Sequence, residues 1–276
     1  MITRFAPSPT GLLHLGHAFS ALTVWDAAQA AGGTMLLRHE DIDATRVRPD
    51  FYGAIEQDLA WLGLSWPAPV RRQSAHLPDY AAMLQRLVGL GVVFRCPRTR
   101  KELAQAAAGA PQAGDAADPF AAPTLPRLPE AEVERRVAAG EGFAWRFDPA
   151  AAARLLAGRL PVFEADGVRV EADPFRLGQA ILARKDAPAS YHLCVVHDDA
   201  LQGVTDVIRG EDLAGAAHLH VTLQALLDLP VPRFHHHRLL TGPDGRRYAK
   251  RDGAVTLQAL RTQGWTPDRV RAQVGL

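Results

Sequence analysis

Residues 2–5 read as a short strand that breaks at Pro7-Ser8-Pro9-Thr10-Gly11, a loop rich in turn formers. An Ala-rich helical pattern follows over 17–30, Gly32-Gly33 stops it, and 34–39 reads as a second strand. Strand, loop, helix and strand within about forty residues make one βαβ unit, the seed of a parallel sheet. Further helical patterns cover 51–62 and 77–90. In the second, Leu77, Tyr80, Ala81, Leu84, Leu87 and Val88 fall on one stripe, and Gly91 ends it. Residues 92–95 are the next expected strand.

The pattern then weakens. From 103 to 129 the chain is mostly Ala, Gly and Pro, which predicts a mobile loop or fraying helix at the tip of an insertion. Residues 143–147 and 161–171 are strand-like, so the insertion is expected to carry β structure of its own. The core resumes near Tyr191, with a strand over 204–209 and a helix over 213–227 whose Leu219, Leu223 and Leu226 share a face. Another strand is expected over 233–237, and two short helices over 256–263 and 267–274 close the chain. No internal repeat is visible. The expected organisation is a catalytic core over 1–95 and 190–240, an inserted subdomain over 96–189, and a terminal segment over 241–276.

With 276 residues, 47% of them apolar, the chain is long enough for one large α/β domain and a smaller insert. No apolar run reaches the roughly 18 residues that span a bilayer, and the N-terminus lacks the pattern of a signal peptide, so no membrane partner and a cytoplasmic location are expected. The two cysteines, Cys96 and Cys194, lie too far apart for a Cys-x-x-Cys site. Net charge is only +1, yet residues 231–276 hold nine Arg and Lys against three Asp and Glu, leaving −5 for the rest. That asymmetry suits an anionic partner on one face; a solvated basic surface explains it equally well.

The strongest local chemistry is His14-Leu15-Gly16-His17, after a strand and loop and just before a helix. Gly16 permits close backbone approach, the helix start offers N–H groups and positive dipole, and two imidazoles can donate to phosphoryl oxygens. His235-His236-His237 invites a metal reading, but strand neighbours alternate faces, so only His235 and His237 could converge. A packed or nucleotide-facing strand end is the expected role.

Context sharpens the first motif. Residues 4–11 followed by His14-Leu15-Gly16-His17 resemble the first signature of class I aminoacyl-tRNA synthetases, of the glutamyl group in particular. Leu37-Arg38-His39-Glu40-Asp41-Ile42-Asp43 resembles that group's next motif. Trp61-Leu62-Gly63-Leu64, then Tyr191 with the run 203–212, and finally Arg247-Tyr248-Ala249-Lys250-Arg251 at the lysine loop continue the match in order. The resemblance implies a Rossmann-like α/β catalytic domain with a parallel sheet, a small inserted α+β subdomain and a short helical C-terminal segment. Because the chain stops some 25 residues after the lysine loop, it looks like the short glutamyl-Q tRNA(Asp) synthetase group. That group activates glutamate without tRNA and esterifies it onto queuosine in the anticodon loop of tRNA(Asp). The short chain also leaves little helical surface for dimerisation, so a monomer is the default.

The resemblance also assigns residues. L-glutamate would meet Arg4, Phe5, Ala6, Pro7, Ser8, Glu40, Tyr191 and Arg209. Arg4 and Arg209 would fork its carboxylates, Glu40 would face its ammonium, and the Ser8 and Tyr191 hydroxyls would add hydrogen bonds. An arginine at 209 favours glutamate over glutamine, since a neutral amide would leave a buried guanidinium unpaired. ATP, brought with Mg2+, would meet His14, Gly16, His17 and Lys250, with His14, His17 and Lys250 as the catalytic groups. Arg251 departs from the usual serine after that lysine. The family's structural zinc uses a Cys-x-Cys pair, a Tyr and a further Cys; here Arg98 takes the second position and only Cys96 remains, so no zinc is expected. Three rivals stand beside this reading: a minimal glutamylating enzyme with another acceptor, an adenylyl- or cytidylyltransferase on a similar sheet, and a non-catalytic RNA- or protein-binding paralogue.

Overall fold

A computed structural model describes residues 1–108, 122–185, 187–240 and 255–276. Strand β1 (Ile2–Phe5) leads through a turn to helix α1 (Leu15–Ala30), which returns to β2 (Thr34–His39), parallel to β1 with Ile2 opposite Thr34 and Phe5 opposite Leu37. Helix α1 starts at Leu15, two residues before the pattern predicted, with the His14 imidazole as its cap. Its buried residues, among them Ala18, Phe19, Leu22, Val24 and Ala28, lie all round the helix. That is the signature of a helix packed on more than one side.

Helix α2 (Pro49–Trp61) opens on a proline at its first turn, and the two-residue β3 (Arg71–Arg72) pairs parallel with β2. Helix α3 (Leu77–Gly89) buries Tyr80, Met83, Leu84 and Leu87; Met83 joins the buried face without having been part of the sequence pattern, and Ala81 is only half-buried. Next come β4 (Val93–Cys96), α4 (Arg100–Ala108), α5 (Glu130–Ala138), β5 (Ala144–Phe147) and α6 (Pro149–Leu155). The Ala/Gly/Pro stretch is therefore helical where it begins. Where it ends, Gln179 pins Leu125 by accepting from its N–H (3.2 Å) and donating to its carbonyl (2.7 Å). Residues 109–121 lie outside the described part.

The chain continues through β6 (Val162–Ala165), β7 (Val168–Glu171), β8 (Ile181–Ala183), α7 (Tyr191–Leu201), β9 (Asp206–Gly210), α8 (Ala214–Leu226), β10 (Arg233–His237), α9 (Leu257–Thr262) and α10 (Pro267–Val274). Strand β5 pairs antiparallel with β4 and β8 in a small sheet. The β6–β7 hairpin, read in the sequence with the insertion, instead extends the sheet of β9 and β10, ordered β7-β6-β10-β9.

The order β1-β2-β3 and the order β7-β6-β10-β9 meet where β1 abuts β9. There Ile2 N–H donates to Thr205 Oγ1 (2.9 Å) and Thr205 N–H donates to the Ile2 carbonyl (2.8 Å). The chain runs away from this seam in opposite directions on its two sides, which makes it a topological switch point. In open α/β sheets ligands bind beyond the carboxyl ends of the strands at such a point. Phe5 ends β1 there and Gly210 ends β9. Helix α10 covers α1 from outside, capped by Thr266 and stopped by Gly275 in the left-handed region (φ 77°). Among the described residues no helix is long and apolar enough to cross a membrane.

Candidate active site

A cavity of about 450 Å³ opens at the switch point. The end of β1 contributes Arg4, Phe5 and Ala6; the start of α1 contributes His14, Gly16 and His17; Glu40, Tyr191 and Arg209 complete the wall. Nine of the residues singled out from the sequence thus line one space. Ser8 lines a second cavity of about 630 Å³, which shares Glu40 and Tyr191 with the first. Pro7 lines neither; its carbonyl accepts from the Glu40 N–H (3.1 Å) and so fixes the acidic turn after β2. Lys250 lies outside the described residues.

The two histidines hold the start of α1 and each other. The Gly16 N–H donates to His14 Nδ1 (3.1 Å), and the His14 N–H donates to His17 Nδ1 (3.2 Å). Their ring centroids are 3.9 Å apart. An Nδ1 that accepts a backbone N–H carries no proton, so each neutral ring has its proton on Nε2. Both rings are thereby set as Nε2–H donors, the form that suits a phosphoryl oxygen.

Beneath the cavity floor lies a charge cluster that the sequence did not announce. Arg4 Nε (3.1 Å) and Arg38 Nη1 (2.8 Å) both donate to Asp199 Oδ1, and Arg38 Nη2 reaches Glu40 Oε1 at 3.4 Å. Arg38 is wholly buried and Asp199 nearly so. Burial pushes the Asp199 carboxyl up, but the Arg4 and Arg38 guanidiniums outweigh it and hold it below the usual carboxylate range. Asp198 beside it accepts from Arg71, Gln73 and Tyr80, locking α7 to α3 and β3. Part of Arg4's charge is therefore spent on Asp199, a use the sequence reading had not assigned. Asp199→Ala would leave Arg4 without its carboxylate partner and Arg38 with only the longer contacts to Glu40 (3.4 Å) and Asp198 (3.8 Å). We expect a loss of about 3–5 kcal/mol in denaturant unfolding; a change below about 1 kcal/mol would contradict this view of the cluster.

Glu40 and Arg209 carry the cavity's reactive electrostatics. Burial pushes the Glu40 carboxyl up to about 7, against the pull of Arg38 and Arg4. Arg209 is 5% exposed, its carbon Cζ sits 5.2 Å from the Phe234 ring centroid, and Nη1 lies 3.2 Å from His220 Nδ1. Its Nε and Nη2 have no hydrogen-bond partner among the described residues. Burial draws the guanidinium below its ordinary value, without removing its charge. A buried cation with unmet donors in the wall of a cavity has the chemistry to receive a carboxylate or a phosphate.

The histidine run at the end of β10 is divided among partners. His235 bonds Asp206 (3.0 Å), His236 bonds Asp166 (3.0 Å), and His237 lines the cavity and bonds Ser20 Oγ (2.9 Å). Among the described residues no group of three or more His, Cys, Asp or Glu is placed to hold a metal ion. Arg98, at the second zinc position of the resembling family, donates to the Pro126 carbonyl (2.7 Å).

The chain is similar to known proteins along its whole length. The family described as tRNA synthetases class I (E and Q), catalytic domain, matches residues 1–275. The glutamyl-Q tRNA(Asp) synthetase of Rhodobacter capsulatus is 45% identical over 287 aligned positions, which cover all of both chains. The glutamyl-Q tRNA(Asp) synthetase of Symbiobacterium thermophilum is 40% identical, with 97% of this chain and 83% of the relative covered. Among solved structures, a glutamate tRNA ligase from Elizabethkingia meningosepticum in complex with its amino acid superposes with a TM-score of 0.69 at 27% identity over 92% of this chain. The chain spans about half of that ligase, 52% of its length.

Proposed function

The chain belongs to the class I tRNA synthetases (E and Q), and from that premise we propose that it activates L-glutamate with ATP, needing no tRNA, and passes the glutamyl group to queuosine in the anticodon loop of tRNA(Asp). The observation that carries the reading is Arg209: a buried guanidinium, with two nitrogens unpartnered among the described residues, that lines the same cavity as Glu40, His14 and His17. A glutamate substrate supplies what this wall lacks, a carboxylate for Arg209 and an ammonium for Glu40. A neutral amide would leave the guanidinium uncompensated, which selects against glutamine.

In the first half-reaction the α-carboxylate oxygen of glutamate attacks the α-phosphorus of ATP in line. The bond to the bridging oxygen breaks, giving glutamyl-adenylate and pyrophosphate. Catalysis is positioning plus charge stabilisation, with the Nε2–H groups of His14 and His17 as donors to phosphoryl oxygens and Lys250, by resemblance, as the cation on the departing pyrophosphate. Mg2+ would travel with the ATP phosphates and neutralise part of their charge. In the second half-reaction a hydroxyl of the acceptor nucleoside attacks the adenylate's carbonyl carbon and AMP leaves. The larger cavity beyond Glu40 and Tyr191 is the open approach to that carbon.

Charging with radiolabelled glutamate tests the acceptor. Label is expected on tRNA(Asp) that carries queuosine and not on the same tRNA with unmodified guanosine. Equal labelling of both, or labelling at the 3′ end, would favour a different acceptor.

Glu40 gives this reading a pH signature. An ammonium pairs only with the ionised carboxylate, and in the free protein burial holds that group at about 7. Glutamate affinity is therefore full above that pH and falls as pH drops through it, approaching about tenfold per unit. Glu40→Gln is expected to bind glutamate weakly at every pH and to lose this slope. A slope that survives in Glu40→Gln would assign the titration to another group.

A further inference from the structure

We propose that His220 is a positioning residue: through a directed chain of hydrogen bonds it holds the Arg209 guanidinium with Nε and Nη2 turned to the substrate carboxylate. The proposal rests on the glutamate reading above and goes beyond it, since no motif of the sequence pointed to His220.

The direction of the chain follows from Arg209, which can only donate. Its Nη1 lies 3.2 Å from His220 Nδ1, so that nitrogen is an acceptor and carries no proton. A neutral imidazole then has its proton on Nε2, and His220 Nε2 stands 3.0 Å from His192 Nδ1. His192 must accept there, which places its own proton on Nε2. One cation thus sets the tautomer of two rings in succession, and no other arrangement avoids turning an N–H against an N–H.

Both rings are buried, at 3% and 5% exposure, and the Tyr191 ring packs against them with centroids 5.8 and 5.4 Å away. Burial and the charge of Arg209 hold both imidazoles far below their ordinary range, His192 down to about 3, so neither becomes a cation at working pH. His220 therefore remains an acceptor. The three residues sit on β9, α8 and α7, so the chain ties the pocket's cation to two packed helices. Such an anchor is needed because a long side chain left to its own rotamers would spend part of its time out of line with the ligand. With Nη1 occupied by His220, Nε and Nη2 are left without a hydrogen-bond partner among the described residues, at a residue that lines the cavity.

The test is glutamate-dependent exchange of labelled pyrophosphate into ATP by His220→Leu and His220→Gln, with glutamate, glutamine and ATP each varied. Leucine fills the space without an acceptor. Its glutamate KM is expected to rise about tenfold or more and its preference for glutamate over glutamine to shrink by a similar factor, with the ATP KM within about twofold. Glutamine can accept from Arg209 and donate to His192, so His220→Gln is expected to recover most of the affinity and selectivity. Should His220→Leu fail to fold, His192→Phe removes the next acceptor and is expected to raise the glutamate KM about threefold. Glutamate and ATP KM rising together, or leucine and glutamine behaving alike, would overturn the positioning role alone. Absence of glutamate-dependent exchange in the wild-type protein would overturn the glutamate reading and this proposal with it.

Discussion

Arg209→Gln is expected to lower kcat/KM for glutamate by about 10²–10³-fold, because it removes a desolvated, bidentate partner of the substrate carboxylate. Most of the loss should fall in KM, since the carboxylate that Arg209 meets is remote from the reacting phosphorus and is held in ground state and transition state alike. The same substitution is expected to leave the unfolding free energy unchanged or raised. Two of the guanidinium's nitrogens have no partner among the described residues, so folding gains little from burying its charge. A glutamine side chain can still donate to His220. The variant's residual activity should tilt toward glutamine as substrate. Exchange kinetics with both amino acids, alongside denaturant unfolding, read all three outcomes. Arg209 behaving as a stability residue, with its loss unfolding the protein and glutamate KM untouched, would remove it from the pocket's chemistry.

The second large effect is expected at His14, where one side chain has two separable jobs. As cap of α1 its Nδ1 accepts the Gly16 N–H; in the proposed reaction its Nε2–H would donate to a phosphoryl oxygen. His14→Ala should lose about 1 kcal/mol of stability from the cap and about 10²-fold in kcat from the missing donor. His14→Asn keeps an acceptor at the cap and should recover the stability but not the rate, as the shorter amide does not reach where the imidazole does. Stability and rate recovering together would mean that His14 acts through the helix start alone.

The strand, histidine turn and helix at the N-terminus were legible because their signals are local: turn formers, a helix start, then an apolar run. The left half of the sheet follows from that unit. The charge cluster was not legible. Arg38 sits in a strand beside Leu36 and Leu37, Asp198 and Asp199 look like the wet face of a helix, and only the fold brings residues about 160 positions apart to 2.8 Å. His220 lies in an apolar helix, where a lone histidine gives no hint of a partner on β9. The 162–171 hairpin was visible as strands, but not its place beside β10, because strand order depends on non-local pairing. Helices α5 and α6 did carry signals, Glu130 after Pro129 and the Asp148-Pro149 cap, and their nine- and seven-residue lengths hid them.

The resemblance, by contrast, singled out residues far apart in the chain, and nine of them line one cavity. What the resemblance could not supply is how Arg4 divides its charge with Asp199, and how Arg209 is left with two open donors. Those are properties of packing, and they bear directly on which amino acid the site prefers.

The most direct measurement of the central claim is glutamate-dependent exchange of labelled pyrophosphate into ATP in the complete absence of tRNA, with Lys250→Ala as control. Exchange with glutamate, far weaker with glutamine and lost in the control, is the predicted result. Exchange that appears only when tRNA is added would contradict tRNA-independent activation and point to a minimal conventional glutamyl synthetase, and silence under both conditions would contradict the enzyme reading itself.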